Sequence, residues 1–74
     1  MDIRVKLFAM LRYGRGKEQI LSLAPPVKKD DILRALDLVP EDIAIFYVNG
    51  RTVDDAYEIR EDDVLSLFPP AGGG

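Results

Sequence analysis

The chain has 74 residues, with 10 Lys+Arg against 13 Asp+Glu, a net charge of −3, 47% hydrophobic residues, no Cys and no His. A chain this short buries only about 60% of its unfolded surface and has no room for a deep enclosed active site. The missing residue types exclude disulfides, thiolate zinc sites, Fe–S ligation, thiol nucleophiles, hydrolytic triads and histidine acid–base chemistry.

Net negative charge with scattered basic residues argues against a nucleic-acid partner. No apolar run approaches the roughly 20 residues that span a bilayer. The start, Met1-Asp2-Ile3-Arg4, carries no signal-peptide core. We therefore expect one small acidic cytoplasmic domain with no membrane partner.

From Ile3 to Leu11 the residues alternate, with Ile3, Val5, Leu7, Ala9 and Leu11 on one side and Arg4, Lys6, Phe8 and Met10 on the other. This predicts a first strand. Tyr13-Gly14-Arg15-Gly16-Lys17 predicts a turn, and Glu18 to Leu23 a second strand paired with the first. Gly14 and Gly16 are too close together for a phosphate-binding loop. Pro25-Pro26 ends the strand, because proline cannot donate to a ladder.

Asp30 and Asp31 precede Ile32, Leu33 and Leu36, apolar positions at helical spacing, which predicts a short helix over about 30–38. Pro40 then discourages its continuation. Ile43 to Val48 is apolar throughout, as in a strand covered on both faces. Asn49-Gly50 is a hairpin signal, because a type I′ turn needs positive φ at both central residues. Arg51 to Val53 is the return strand, Asp54 to Asp63 a polar connection held down by Tyr57 and Ile59, and Val64 to Phe68 the last strand.

The resulting order, β-β-α-β-β-β, predicts an α+β fold: a mixed sheet of four to five strands with one main helix on one face. This is the β-grasp arrangement, although order alone leaves other α+β folds open. The domain spans 1–68 and a tail spans 69–74. The sheet face away from the helix is a candidate docking surface formed by Phe8, Met10, Phe46 and Phe68, with Arg12 beside them; the all-apolar strand places some of either Ala44, Phe46 and Val48 or Ile43, Ile45 and Tyr47 there. The competing expectation is that the loop from Asp54 to Asp63 folds over this face. Arg12, Arg15 and Arg51 would ring the patch and steer an acidic partner, or simply be solvated. The acidic clusters Asp30-Asp31, Asp54-Asp55 and Glu61-Asp62-Asp63 lack EF-hand spacing, so no metal site is expected.

The tail reads Pro69-Pro70-Ala71-Gly72-Gly73-Gly74. Prolines favour a stiff extended segment, and glycines without Cβ atoms fit a channel too narrow for other residues. The six residues reach at most about 20 Å, and the carboxylate of Gly74 is the one group of this chain that could be consumed chemically. The same composition also suits an ordinary frayed chain end.

Phe68-Pro69-Pro70 followed by Gly73-Gly74, with Val5-Lys6-Leu7-Phe8-Ala9 in the first strand, Val48-Asn49-Gly50 at the hairpin and Asp62-Asp63-Val64 before the last strand, resembles the ubiquitin-like sulfur-carrier family. Within it, the chain is most similar to the small subunit of molybdopterin synthase. Asp62 stands where the family commonly has glycine, and Gly72 adds a third glycine to the usual pair.

The resemblance implies that a ubiquitin-activating-type adenylyltransferase uses ATP to adenylate Gly74, and that a sulfur donor then converts it to a thiocarboxylate. It also implies that Pro69, Pro70, Ala71, Gly72 and Gly73 insert into the large catalytic subunit of molybdopterin synthase. The chain itself would bind no cofactor. Sulfur delivery to thiazole or tRNA, or conjugation to lysines as a protein modifier, are the other outcomes the same tail allows.

Overall fold

The alternation read from the sequence builds the centre of a five-stranded sheet. A computed structural model of the chain describes residues 1–71. Its strands are β1 (Asp2–Leu7), β2 (Glu18–Ser22), β3 (Ile45–Val48), β4 (Arg51–Thr52) and β5 (Val64–Phe68), with one helix, α1 (Lys29–Ala35). They lie in the order β2-β1-β5-β3-β4. The first and last strands are parallel neighbours, with Val5 beside Leu65 and Leu7 beside Leu67. The other pairs are antiparallel. The β-grasp arrangement expected from the order of elements is therefore present.

Ile3, Val5 and Leu7 of β1 and Leu65 and Leu67 of β5 are fully buried, and Ile32, Leu33 and Val27 close over them from the helix side. Burying a side chain of this kind contributes about 1.5–3 kcal/mol, so these central positions hold the layers together.

Strand one is shorter than the alternation suggested. Ala9 takes a φ of 51°, a left-handed conformation that no strand tolerates. The chain there leaves the sheet for a 3-10 turn over Ala9–Arg12. Leu11 still reaches the core, but from the turn. The Arg12 guanidinium accompanies the change, its Nε donating to the Leu7 carbonyl at 2.8 Å.

The helix also ends early, at Ala35 rather than near residue 38. Its first turn is fixed by Asp31, whose carboxylate accepts the Lys28 N–H at 2.9 Å. At the other end Asp37 takes a φ of 59°. Its N–H bonds the Arg34 carbonyl at 3.1 Å and the Leu38 N–H bonds the Leu33 carbonyl at 2.8 Å. This is a Schellman termination with Asp in the place glycine usually takes, sealed by buried Leu33 and Leu38. Arg15 reaches across from the connection between β1 and β2 and donates to the Leu36 carbonyl at 3.0 Å.

Asn49 and Gly50 have φ values of 53° and 80°, as the hairpin turn requires. Before the turn, β3 is not covered on both faces. Phe46 and Val48 are buried at 6% and 3%, whereas Ile45 is 38% exposed. Phe46 therefore belongs to the core and not to the docking surface on which we expected it. The loop from Asp54 to Asp63 packs on the helix side: Ile59 is buried, its N–H donates to the Val27 carbonyl at 2.7 Å, and Lys29 and Asp55 lie 3.6 Å apart. It does not fold over the open face.

Candidate functional site

Two groups of residues stand out beyond the packing of the core. The first surrounds the point where the tail leaves the sheet. In β5, Leu65 and Leu67 point inward, so Val64, Ser66 and Phe68 face the open side. Phe68 stacks on Phe8 with ring centroids 4.3 Å apart and planes 10° from parallel. Tyr47 meets the same ring edge-on at 5.9 Å. Offset-stacked and edge-on contacts are the arrangements the aromatic quadrupole favours. The Arg12 guanidinium carbon sits 5.5 Å from the Phe8 centroid, within cation–π range.

The backbone around this cluster is equally fixed. The Phe8 N–H donates to the Leu67 carbonyl at 3.2 Å, and the Ala44 N–H donates to the Phe68 carbonyl at 2.9 Å. The chain is thus held on both sides up to Phe68. Beyond it, one groove is lined by Phe8, Ala9, Met10, Phe68, Pro69 and Pro70. A second, on the helix side, is lined by Met10, Leu11, Arg15, Leu38 and Pro70, with Glu41 and Asp42. Met10, 52% exposed, and Pro70 form the ridge between them.

The structure brings together Phe8, Met10, Phe68 and Arg12 of the expected docking residues, together with Pro69, Pro70 and Ala71. It separates Phe46, as described. The expected arginine ring does not form. Arg15 is turned toward Leu36, and Arg51 pairs with Val48 at the end of β3 opposite the end that meets Phe68. Gly72, Gly73 and Gly74 lie outside the described residues. Ile45 and Tyr47 join the patch, which the sequence left undecided because an all-apolar strand carries no alternation to orient it.

The second group is centred on Asp63, the buried charged residue among the described residues. Its carboxylate accepts bonds from the Asn49 amide, the Tyr57 hydroxyl and the Arg60 N–H, each at 2.8 Å. Burial alone would raise its pKa. The Arg60, Tyr57 and Asn49 donors outweigh burial and hold the carboxyl below the usual aspartate range. The same bond to Asp63, with burial, pushes the Tyr57 phenol above its ordinary value. Asn49 completes the link, its Oδ1 accepting the Val64 N–H at 2.9 Å. This cluster ties the hairpin, the long loop and β5 together. No group of three or more acidic side chains among the described residues is placed to hold a metal ion. No helix among them is long and apolar enough to cross a membrane.

A β-grasp domain whose central strand runs out beside an aromatic patch, with Pro70 and Ala71 exposed beyond it, is the architecture of a ubiquitin-like protein. The chain belongs to the ThiS family, whose family model matches residues 5–74. Three solved structures are similar to it in fold. A Pyrococcus furiosus protein, named provisionally as molybdopterin converting factor subunit 1, is 24% identical with a TM-score of 0.78, over 95% of this chain and 98% of its own. Small archaeal modifier protein 1 of Haloferax volcanii is 21% identical with a TM-score of 0.75, over 93% and 97%. A second Haloferax volcanii protein, solved in solution, is 25% identical with a TM-score of 0.79, over 100% and 87%. No curated protein matches the chain in sequence.

Proposed function

We propose that the chain is a sulfur carrier whose terminal Gly74 is adenylated and then converted to a thiocarboxylate, for delivery of sulfur in molybdopterin synthesis. The observation that carries this reading is the exit of β5 from the centre of the sheet, beside Phe8 and Phe68, into Pro69-Pro70-Ala71-Gly72-Gly73-Gly74. Membership of the ThiS family supports it.

The chemistry follows from the reactivity of a carboxylate. In a ubiquitin-activating-type adenylyltransferase, an oxygen of the Gly74 carboxylate attacks the α-phosphorus of ATP and pyrophosphate leaves. A hydrosulfide equivalent from the sulfur donor then attacks the acyl carbon and AMP departs, leaving a thiocarboxylate. A carboxylate is a poor acyl donor and an acyl-adenylate a good one, which is why ATP is spent first. The partner holds the ATP, and this chain supplies the handle.

Phe8, Met10 and Phe68, with Arg12 at their rim, would dock on the activating enzyme and on the large catalytic subunit of molybdopterin synthase. Apolar contact supplies the affinity and the arginine steers encounter. We place the protein in the cytoplasm, where ATP is supplied. Delivery to thiazole or tRNA uses the same activated tail. Conjugation of Gly74 to a target lysine is the second reading; a fold neighbour bears the name of a modifier.

Intact mass tests the proposal. After incubation with ATP, a sulfur donor and the activating enzyme, the chain should show exchange of one oxygen for sulfur at Gly74, and a chain lacking Gly73 and Gly74 should not. A mass that stays unchanged with an enzyme competent on another carrier overturns it. A mass shift equal to a joined target peptide selects the modifier reading.

A further inference from the structure

Asn49 is the one asparagine of the sequence, and glycine follows it. An asparagine is lost when the main-chain nitrogen of the next residue, giving up its proton, attacks the side-chain Cγ. Ammonia leaves, a five-membered succinimide forms, and water opens it to aspartate or isoaspartate. A following glycine favours the attack because it has no Cβ to crowd the nitrogen. At Gly50 the surroundings are open as well: a Cβ placed there would meet nothing within 4 Å. Both residues are exposed at the tip of the hairpin, so water and hydroxide reach them.

The side chain, however, is held at both ends. Its Nδ2 donates to Asp63 Oδ1 at 2.8 Å and its Oδ1 accepts the Val64 N–H at 2.9 Å. The Asn49 main chain is fixed to the same residue, its N–H donating to the Val64 carbonyl at 2.8 Å. These bonds aim the amide at β5. For the Gly50 nitrogen to approach Cγ, the amide must rotate and release both partners, one of them a buried carboxylate. The nitrogen that would leave as ammonia is the atom Asp63 grips.

We propose that Asn49–Gly50 is a spontaneous modification site of this protein, and that Asp63 and Val64 act as its guard by holding the Asn49 amide away from the Gly50 nitrogen. The change, once made, is self-locking. The product carboxylate has no proton to donate to Asp63 and places a like charge against it, so the clamp cannot re-form. Tyr57 and Arg60 keep Asp63 ionised and oriented in the intact protein, and thereby keep the guard in place.

The test follows the intact mass of the full chain during incubation at mildly alkaline pH, where the amide-to-acid increment reports Asn49, because no other asparagine is present. Peptide mapping confirms the position, and labelling by an isoaspartyl methyltransferase identifies the rearranged product. The folded protein should convert roughly tenfold more slowly, or slower still, than the same chain in denaturant, since two hydrogen bonds must be released together. Asp63→Ala, checked for folding by circular dichroism, should convert several-fold faster than folded wild type, with the remaining Val64 bond keeping it below the rate of the unfolded chain. If the folded and unfolded wild-type chains convert equally fast, or if folded Asp63→Ala converts as slowly as wild type, the proposal is overturned. The wild-type comparison stands even if Asp63→Ala fails to fold.

Discussion

Replacing Asp63 by alanine tests the buried carboxylate cluster most directly. The substitution removes three hydrogen bonds of 2.8 Å and leaves the Asn49, Tyr57 and Arg60 donors without their acceptor. Bonds to a charged acceptor are worth about 1.5–3 kcal/mol each. Tyr57 is only half-buried and Arg60 is exposed, so their donors turn partly to water. We expect a net loss of about 3 kcal/mol, a large part of the stability of a domain this size. With a urea slope of about 1 kcal/mol/M, the midpoint should fall by roughly 3 M.

The pH dependence gives an independent check. The folded pKa of Asp63 lies below its unfolded value. The unfolded state therefore binds more protons between the two values, and stability rises with pH across that window. The contribution is complete above the ordinary aspartate value of about 3.9 and disappears as pH falls through the lower folded value. Urea melts of wild type from pH 7 to pH 2 should show this acid-side loss, and the alanine variant should show a flatter one. A midpoint unchanged by the substitution, or parallel pH curves, would refute the assignment of Asp63 as a net stabiliser.

Other substitutions separate core from surface. Phe46→Ala should cost about 3–5 kcal/mol in thermal or urea unfolding, because the ring is buried at 6%. Ile59→Ala should cost about 2–4 kcal/mol by the same assay, because Ile59 is the fully packed anchor of the long loop, beside half-buried Tyr57. Phe8→Ala should cost only about 1–2 kcal/mol, since the ring is half-buried, yet weaken binding to the activating enzyme in a calorimetric titration. Deleting Gly73 and Gly74 should leave the melting temperature unchanged while abolishing the mass shift with ATP and sulfur donor.

The strands were legible wherever alternation was clean. Ile3, Val5 and Leu7 announced both the strand and its buried face, and Asn49-Gly50 announced the turn. The first strand was overextended because Ala9 and Leu11 continue the period while the backbone departs from it at Ala9; a positive φ at alanine leaves no mark in the sequence. Proline at residue 40 suggested where α1 would stop, but the helix closes earlier through Asp37, where glycine would have been the usual cue. Phe46 was misplaced for a different reason. A strand apolar at every position has no pattern to orient it, and its facing is set by register with β5, which pairs Phe46 with Leu67 and Ile45 with Phe68. The Asp63 cluster looked like loop acidity, because the bonds from Tyr57 and Arg60 are made by folding of the loop itself and the one from Asn49 comes from a hairpin 14 residues away.

The placement of β5 has a mechanical consequence. Force applied to the tail enters a strand hydrogen-bonded on one side to β1 and on the other to β3. Because the pull runs along the strand axis, it shears both ladders at once and cannot peel them open bond by bond. The segment that follows β5 is thus anchored through ladders on both edges of the strand, so a load on it is shared by β1 and β3 together.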